Sequence, residues 1–137
     1  MTEPEFLDLE ELLLIHQEQL GKYGGAAGVR DQGLLESALA MPKTTFGGDF
    51  LHSDLFAMAA AYAFHIAENQ PFLDGNKRTG LLAAVVFLEL NGYIVEESPS
   101  RFCEAMIAVA EHRLDKDGLA GMLREMSRPV IGGSVEG

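Results

Sequence analysis

Residues 55–90 constrain the fold most, because two long apolar stretches flank one short polar turn. The first carries Leu55, Phe56, Met58, Ala59, Tyr62, Ala63 and Ile66 at helical spacing through Asn69. The second runs from Asn76 to about Asn91, with Leu81, Leu82, Val85, Val86 and Leu88. Both are apolar over most of their circumference, which predicts a buried helical pair at the centre of the chain. The turn between them must then sit at the rim of the core, held from both sides. Such support is what preorganises a site.

That turn is Gln70-Pro71-Phe72-Leu73-Asp74-Gly75-Asn76-Lys77-Arg78. Asn76 is a favoured N-cap residue, and Gly75 allows close approach of a ligand to the backbone. The following helix would present free N–H groups and the positive end of its dipole. Lys77 and Arg78 in its first turn are unfavourable there unless an anion offsets them, and phosphate is the expected anion. Lys77 would act as a point charge and Arg78 as a two-pronged donor. Asp74 is a hard oxygen ligand suited to Mg²⁺ shared with a nucleotide. Phe72 is expected to pin the turn to the core, and Pro71 to fix the backbone where the preceding helix ends. In isolation, the same residues also read as a capped helix whose cations face water.

The rest of the chain reads as helical, with a single interruption. Asp8 is the expected cap of a first helix over 7–23, ended by Gly24, Gly25 and Gly28. Asp31 starts a second that closes before Pro42, and Arg30 beside it reads as a solvated helix start. Residues 43–53 break the pattern, and Gly47-Gly48-Asp49 signals a small hairpin or flap. Ser53 or Asp54 caps the third helix, and Tyr93-Ile94-Val95 reads as a short extended piece. Pro99 opens a fifth helix, whose Cys103 is expected in the core. Asp115 or Asp117 opens a sixth. Residues 1–127 thus form one all-α domain of about six helices, and 128–137 a frayed tail.

Composition bounds the partners. A net charge of −11, with only ten Lys and Arg among 137 residues, argues against a general nucleic-acid surface. A lone cysteine excludes an internal disulfide and matches a reducing cytosol. The longest near-apolar run, Gly80 to Leu88, is too short to span a bilayer, so a cytoplasmic protein is expected, with neither membrane nor nucleic acid as partner.

The stretch Gln70 to Gly80 resembles the signature of the Fic/Doc (Fido) superfamily, in its Doc (death-on-curing) form. Softer echoes, such as Tyr23-Gly24-Gly25 and Phe87-Leu88-Glu89-Leu90-Asn91-Gly92-Tyr93, extend the likeness over roughly residues 6–126. The resemblance implies the Fido helical bundle, a flap at 43–53 that positions a target segment, and an ATP and Mg²⁺ site. By that likeness Asp74, Asn76, Lys77 and Arg78 are catalytic, Gly75, Asn76, Lys77 and Arg78 bind the nucleotide, and Asp74 holds the metal. Doc proteins phosphorylate a hydroxyl on a translation elongation factor, and Lys77 favours that over AMP transfer, which accompanies glycine at this position. The inhibitory pattern of some Fido proteins has no match, Ser134-Val135-Glu136-Gly137 having the wrong spacing. Inhibition is therefore expected from a small antitoxin in trans.

One position departs from the pattern. Gln70 stands where the family carries the histidine that takes the proton from the attacking hydroxyl. An amide hydrogen-bonds but accepts no proton at working pH. Loss of a general base costs on the order of 10²–10⁴ in rate. Gln70 is either natural, in a weakened member or a non-catalytic binding protein, or an engineered substitution. His65 lies on another azimuth of the same helix, and His16, His52 and His112 are scattered singly. His65 and Glu68 could share a metal, but no second pair supports it.

Overall fold

The computed structural model describes residues 3–96 and 99–130. Helix α1, Leu9–Tyr23, starts where Asp8 accepts from the Glu11 amide while the Glu11 carboxylate reaches back to the Asp8 amide. This reciprocal cap satisfies two orphan donors and sets the first turn. Leu12, Ile15, His16 and Gln19 form its buried face. Helix α2, Gln32–Ala40, is capped by Asp31, whose side chain accepts from Leu34 N–H. A 3₁₀ turn, Met41–Lys43, leads into the expected hairpin. Strands β1, Thr45–Phe46, and β2, Asp49–Phe50, pair antiparallel around Gly47 and Gly48, both at positive φ. A two-residue loop of that kind matches the twist of the strands it joins.

Asp54, rather than Ser53, caps α3, Leu55–Asn69, which is buried around most of its circumference. Helix α4, Asn76–Leu90, lies against it closely enough that a Cβ on Gly80 would stand 2.9 Å from the Ala63 carbonyl oxygen. The small residue is what lets the two backbones approach. Around this pair, Leu12, Leu35, Tyr62, Ile66, Phe72, Phe87, Met106, Val109, Leu119 and Leu123 fill one core. Each such side chain contributes about 1.5–3 kcal/mol by leaving water. The Tyr62 hydroxyl, buried among them, accepts from Leu7 N–H at 2.9 Å. Burial pushes its pKa up to about 12.

Helix α5, Pro99–Ala110, and helix α6, Lys116–Met126, complete the six α-helices of the described residues, with Asp115 rather than Asp117 capping α6. The fold is all-α, as the apolar patterning requires. Two expectations are corrected. Cys103 is exposed on α5, because the inward stripe of that helix is Ala105, Met106 and Val109. The chain does not fray at Arg128. Strand β4, Ser127–Pro129, pairs antiparallel with β3, Tyr93–Val95, and Val130 N–H bonds the Gly92 carbonyl. The remainder of the expected tail, with Ser134 and Glu136, lies outside the described residues. Among the described residues no helix is long and apolar enough to cross a membrane.

Candidate functional site

Helix α3 ends on Gln70, which adopts the left-handed conformation (φ 48°, ψ 57°) while its N–H still bonds the Ile66 carbonyl. A non-glycine residue there costs of order 1 kcal/mol or more and persists only where its surroundings enforce it. The loop between α1 and α2 supplies the enforcement. Arg30 donates from Nε to the Gln70 carbonyl at 2.7 Å and from Nη2 to the Asn69 carbonyl at 2.8 Å. The Arg30 and Asp31 amides both donate to the Pro71 carbonyl, and Leu73 N–H donates to the Gly28 carbonyl. Arg30, read from sequence as part of a solvated helix start, therefore clamps the end of α3. Asp31 caps α2 as expected.

Beneath the turn, Phe72 is buried and stacks on His16 at 3.8 Å between ring centroids, 8° from parallel. His16 Nε2 lies 2.9 Å from the Asp74 carbonyl oxygen, so Nε2 carries the proton and donates. The Asp74 carboxylate accepts from Ala26 N–H through Oδ2 at 2.7 Å. Gly25 makes room for this contact: a Cβ there would stand 3.1 Å from that of Asp74, and its φ is +121°. Asp74 is thus held by its carbonyl from α1 and by its carboxylate from the following loop. Sequence reasoning passed over His16 as an isolated histidine. The available signal was its place one turn after Leu12 and next to Ile15, on the face that α1 buries.

Helix α4 opens differently from expectation. Its N-cap is Gly75, at φ 78°, and no side chain caps it. Asn76 instead folds back, with Oδ1 accepting from Phe72 N–H and Nδ2 donating to the Phe72 carbonyl, both at 3.0 Å. It locks the turn, and only its second amide proton is left for a ligand. The uncapped first turn keeps open N–H donors, which is the anion-binding arrangement. Lys77 and Arg78 project there, both exposed, and among the described residues neither forms an ion pair. The Arg78 guanidinium carbon sits 4.4 Å from the Tyr23 ring centroid. A cleft of about 320 Å³ lies between this turn and α5, lined along α4 by Leu81 and on the α5 side by Cys103, Met106 and Ile107.

The other sequence candidates lie apart from this turn. Lys116 donates to His65 Nε2 at 3.1 Å. Burial, then Lys116 and His52, push the His65 pKa down to about 4. His52 is lowered as well, chiefly by burial. Glu68 faces His112 Nδ1 at 3.9 Å, and the described residues contain no cluster of three or more His, Cys, Asp or Glu able to hold a metal ion. A Mg²⁺ ion resting on one carboxylate and on phosphate oxygens needs no such cluster. Ala26 N–H occupies Oδ2 of Asp74, which leaves its Oδ1 without a hydrogen bond among the described residues.

Residues 6–88 match the Fic/DOC family. The chain is 31% identical over 117 residues to the protein kinase doc of Escherichia phage P1, covering 85% of this chain and 91% of that protein. It is 36% identical over 121 residues to the toxin Doc of Mycolicibacterium smegmatis (strain ATCC 700084 / mc(2)155), covering 87% and 91%. The matched residues include the clamp, the turn and the start of α4 described above, and the chain belongs to the Fic/DOC family, in its Doc branch.

Proposed function

We propose that this protein is a Doc-like toxin whose fold serves phosphoryl transfer from Mg-ATP to a hydroxyl of a protein, of the translation elongation factor class, and that a small antitoxin restrains it. The observation that carries the reading is the open first turn of α4, where uncapped N–H groups, Lys77 and Arg78 face a cleft roomy enough for part of a nucleotide. The relatives' names, a kinase and a toxin, support it.

In this reading the Gly75–Arg78 amides and the two cations hold the phosphates in line with the incoming hydroxyl. Asp74 Oδ1 would hold Mg²⁺, which when bound would supply neutralisation of the phosphate charge. With a base at position 70, the hydroxyl oxygen would bond to the γ-phosphorus as the bond to the departing ADP breaks, and that base would take the hydroxyl proton. Gln70 accepts no proton, so binding is retained while transfer is impaired on the order of 10²–10⁴-fold. The same residue favours the second reading, a protein that binds nucleotide or partner without catalysis.

The test is to incubate the protein and its Gln70→His variant with Mg²⁺, a purified elongation factor, and ATP labelled at the γ- or the α-phosphate. Transfer of γ-label by the histidine variant supports phosphotransfer. Transfer of α-label assigns AMP transfer instead. ATP binding without transfer by either protein supports the binding-only reading.

A further inference from the structure

The end of α1 contributes a residue that none of the motif chemistry accounts for. Tyr23 is the last residue of that helix, and its side chain is 60% exposed, so it adds little to the core. The face of its ring carries the Arg78 guanidinium, at 4.4 Å from ring centroid to guanidinium carbon. Arg78 has no carboxylate partner among the described residues, and the Tyr23 ring lies against its guanidinium.

We infer that Tyr23 is a positioning residue for Arg78. The inference rests on the proposed phosphate site and goes beyond it by assigning the group that orients its arginine. A guanidinium held through its face keeps its N–H edge open, and that edge is what grips two phosphate oxygens at once. A free arginine side chain samples many rotamers, and binding must remove part of that freedom. The Tyr23 ring removes some of it beforehand. A carboxylate in the same place would order the arginine too, but would compete with phosphate for its donors. The aromatic face does not compete. Gly24 follows at φ 80° and turns the chain at once into the loop that holds Asp74 through Ala26, so one segment orients both the arginine and the carboxylate.

Because Tyr23 is exposed, its variants test function with little risk to folding. Mg-ATP affinity is measured by calorimetry for the parent chain, Tyr23→Phe, Tyr23→Leu, Arg78→Ala and the Tyr23→Leu/Arg78→Ala pair. The ring's contribution at an exposed site corresponds to a loss of about two- to fivefold in affinity for Tyr23→Leu. Tyr23→Phe, which keeps the ring face, stays close to the parent. In the Arg78→Ala background, Tyr23→Leu produces no further loss, because its effect passes through the arginine. If Arg78→Ala weakens binding but Tyr23→Leu does not, or if the two losses add in full, the inference is overturned while the phosphate site stands. If the parent does not bind Mg-ATP, or Arg78→Ala leaves its affinity unchanged, the phosphate site itself falls and the inference with it.

Discussion

Arg30 donates from Nε to the carbonyl of Gln70 at 2.7 Å across forty positions of sequence. Its second bond, to Asn69, ties the same guanidinium to the last turn of α3. The left-handed backbone at position 70 is thereby imposed from another segment rather than chosen by the glutamine. Histidine is among the residues that tolerate this conformation best after glycine and asparagine. A histidine at position 70 would therefore inherit a prepared backbone.

The first prediction concerns that clamp. In the Gln70→His background, Arg30→Ala lowers kcat for transfer about 10- to 100-fold, as a base displaced by an ångström would. It leaves the Kd for Mg-ATP nearly unchanged, because the proposed phosphate donors belong to α4. Stability falls by about 1 kcal/mol, the contribution of exposed bonds to carbonyls. Steady-state kinetics beside a denaturant titration separates the two effects, and an unchanged kcat would show that the clamp is only structural.

A second prediction follows from the closest approach of two helices. Alanine at position 80 gains up to about 1 kcal/mol in helix propensity. Its Cβ, however, would meet the Ala63 backbone oxygen at 2.9 Å, and a backbone atom cannot swing aside. Overpacking of that kind costs typically about 1–3 kcal/mol and here wins. Gly80→Ala should lower Tm by several degrees in calorimetry; a raised Tm would mean that α3 and α4 separate without penalty.

The third concerns acid. Unfolded His65 takes a proton near pH 6.5, whereas burial first, and then Lys116 and His52, hold the folded imidazole near 4. The sign is that of a depressed histidine. Its contribution is complete above pH 6.5 and is lost progressively as pH falls toward 4. Tm measured from pH 7 to 4.5 should fall more steeply for the parent than for His65→Gln, which accepts the Lys116 proton without titrating. Parallel curves would refute this. His52, also lowered, leaves some slope in both proteins.

The helices were legible because their apolar positions repeat at helical spacing and because Asp8, Asp31, Asp54 and Asp115 cap them. The hairpin was legible from Gly47 and Gly48. What local pattern could not carry was every contact made across sequence distance. The pairing of β4 with β3, the hold of Arg30 on Gln70 and the hold of His16 on Asp74 each join segments more than thirty residues apart. Asn76 misled because asparagine caps helices well, and here its amide serves the Phe72 backbone four residues earlier instead. Cys103 misled because a small apolar residue on a mixed helix face does not declare which way that face points. The turn's cations stood out because they sit at the wrong end of a helix for an unliganded protein.

The most direct test of a binding site separated from its base compares this protein with Gln70→His in two numbers, the Kd for Mg-ATP and the single-turnover rate of γ-phosphoryl transfer to an elongation factor. The expected result is a Kd changed by no more than about twofold, a small fraction of the 1.4 kcal/mol that a tenfold change represents. The rate should rise on the order of 10²–10⁴-fold with histidine. A parent already as fast as the variant would contradict the assignment of position 70 as the site of the missing base.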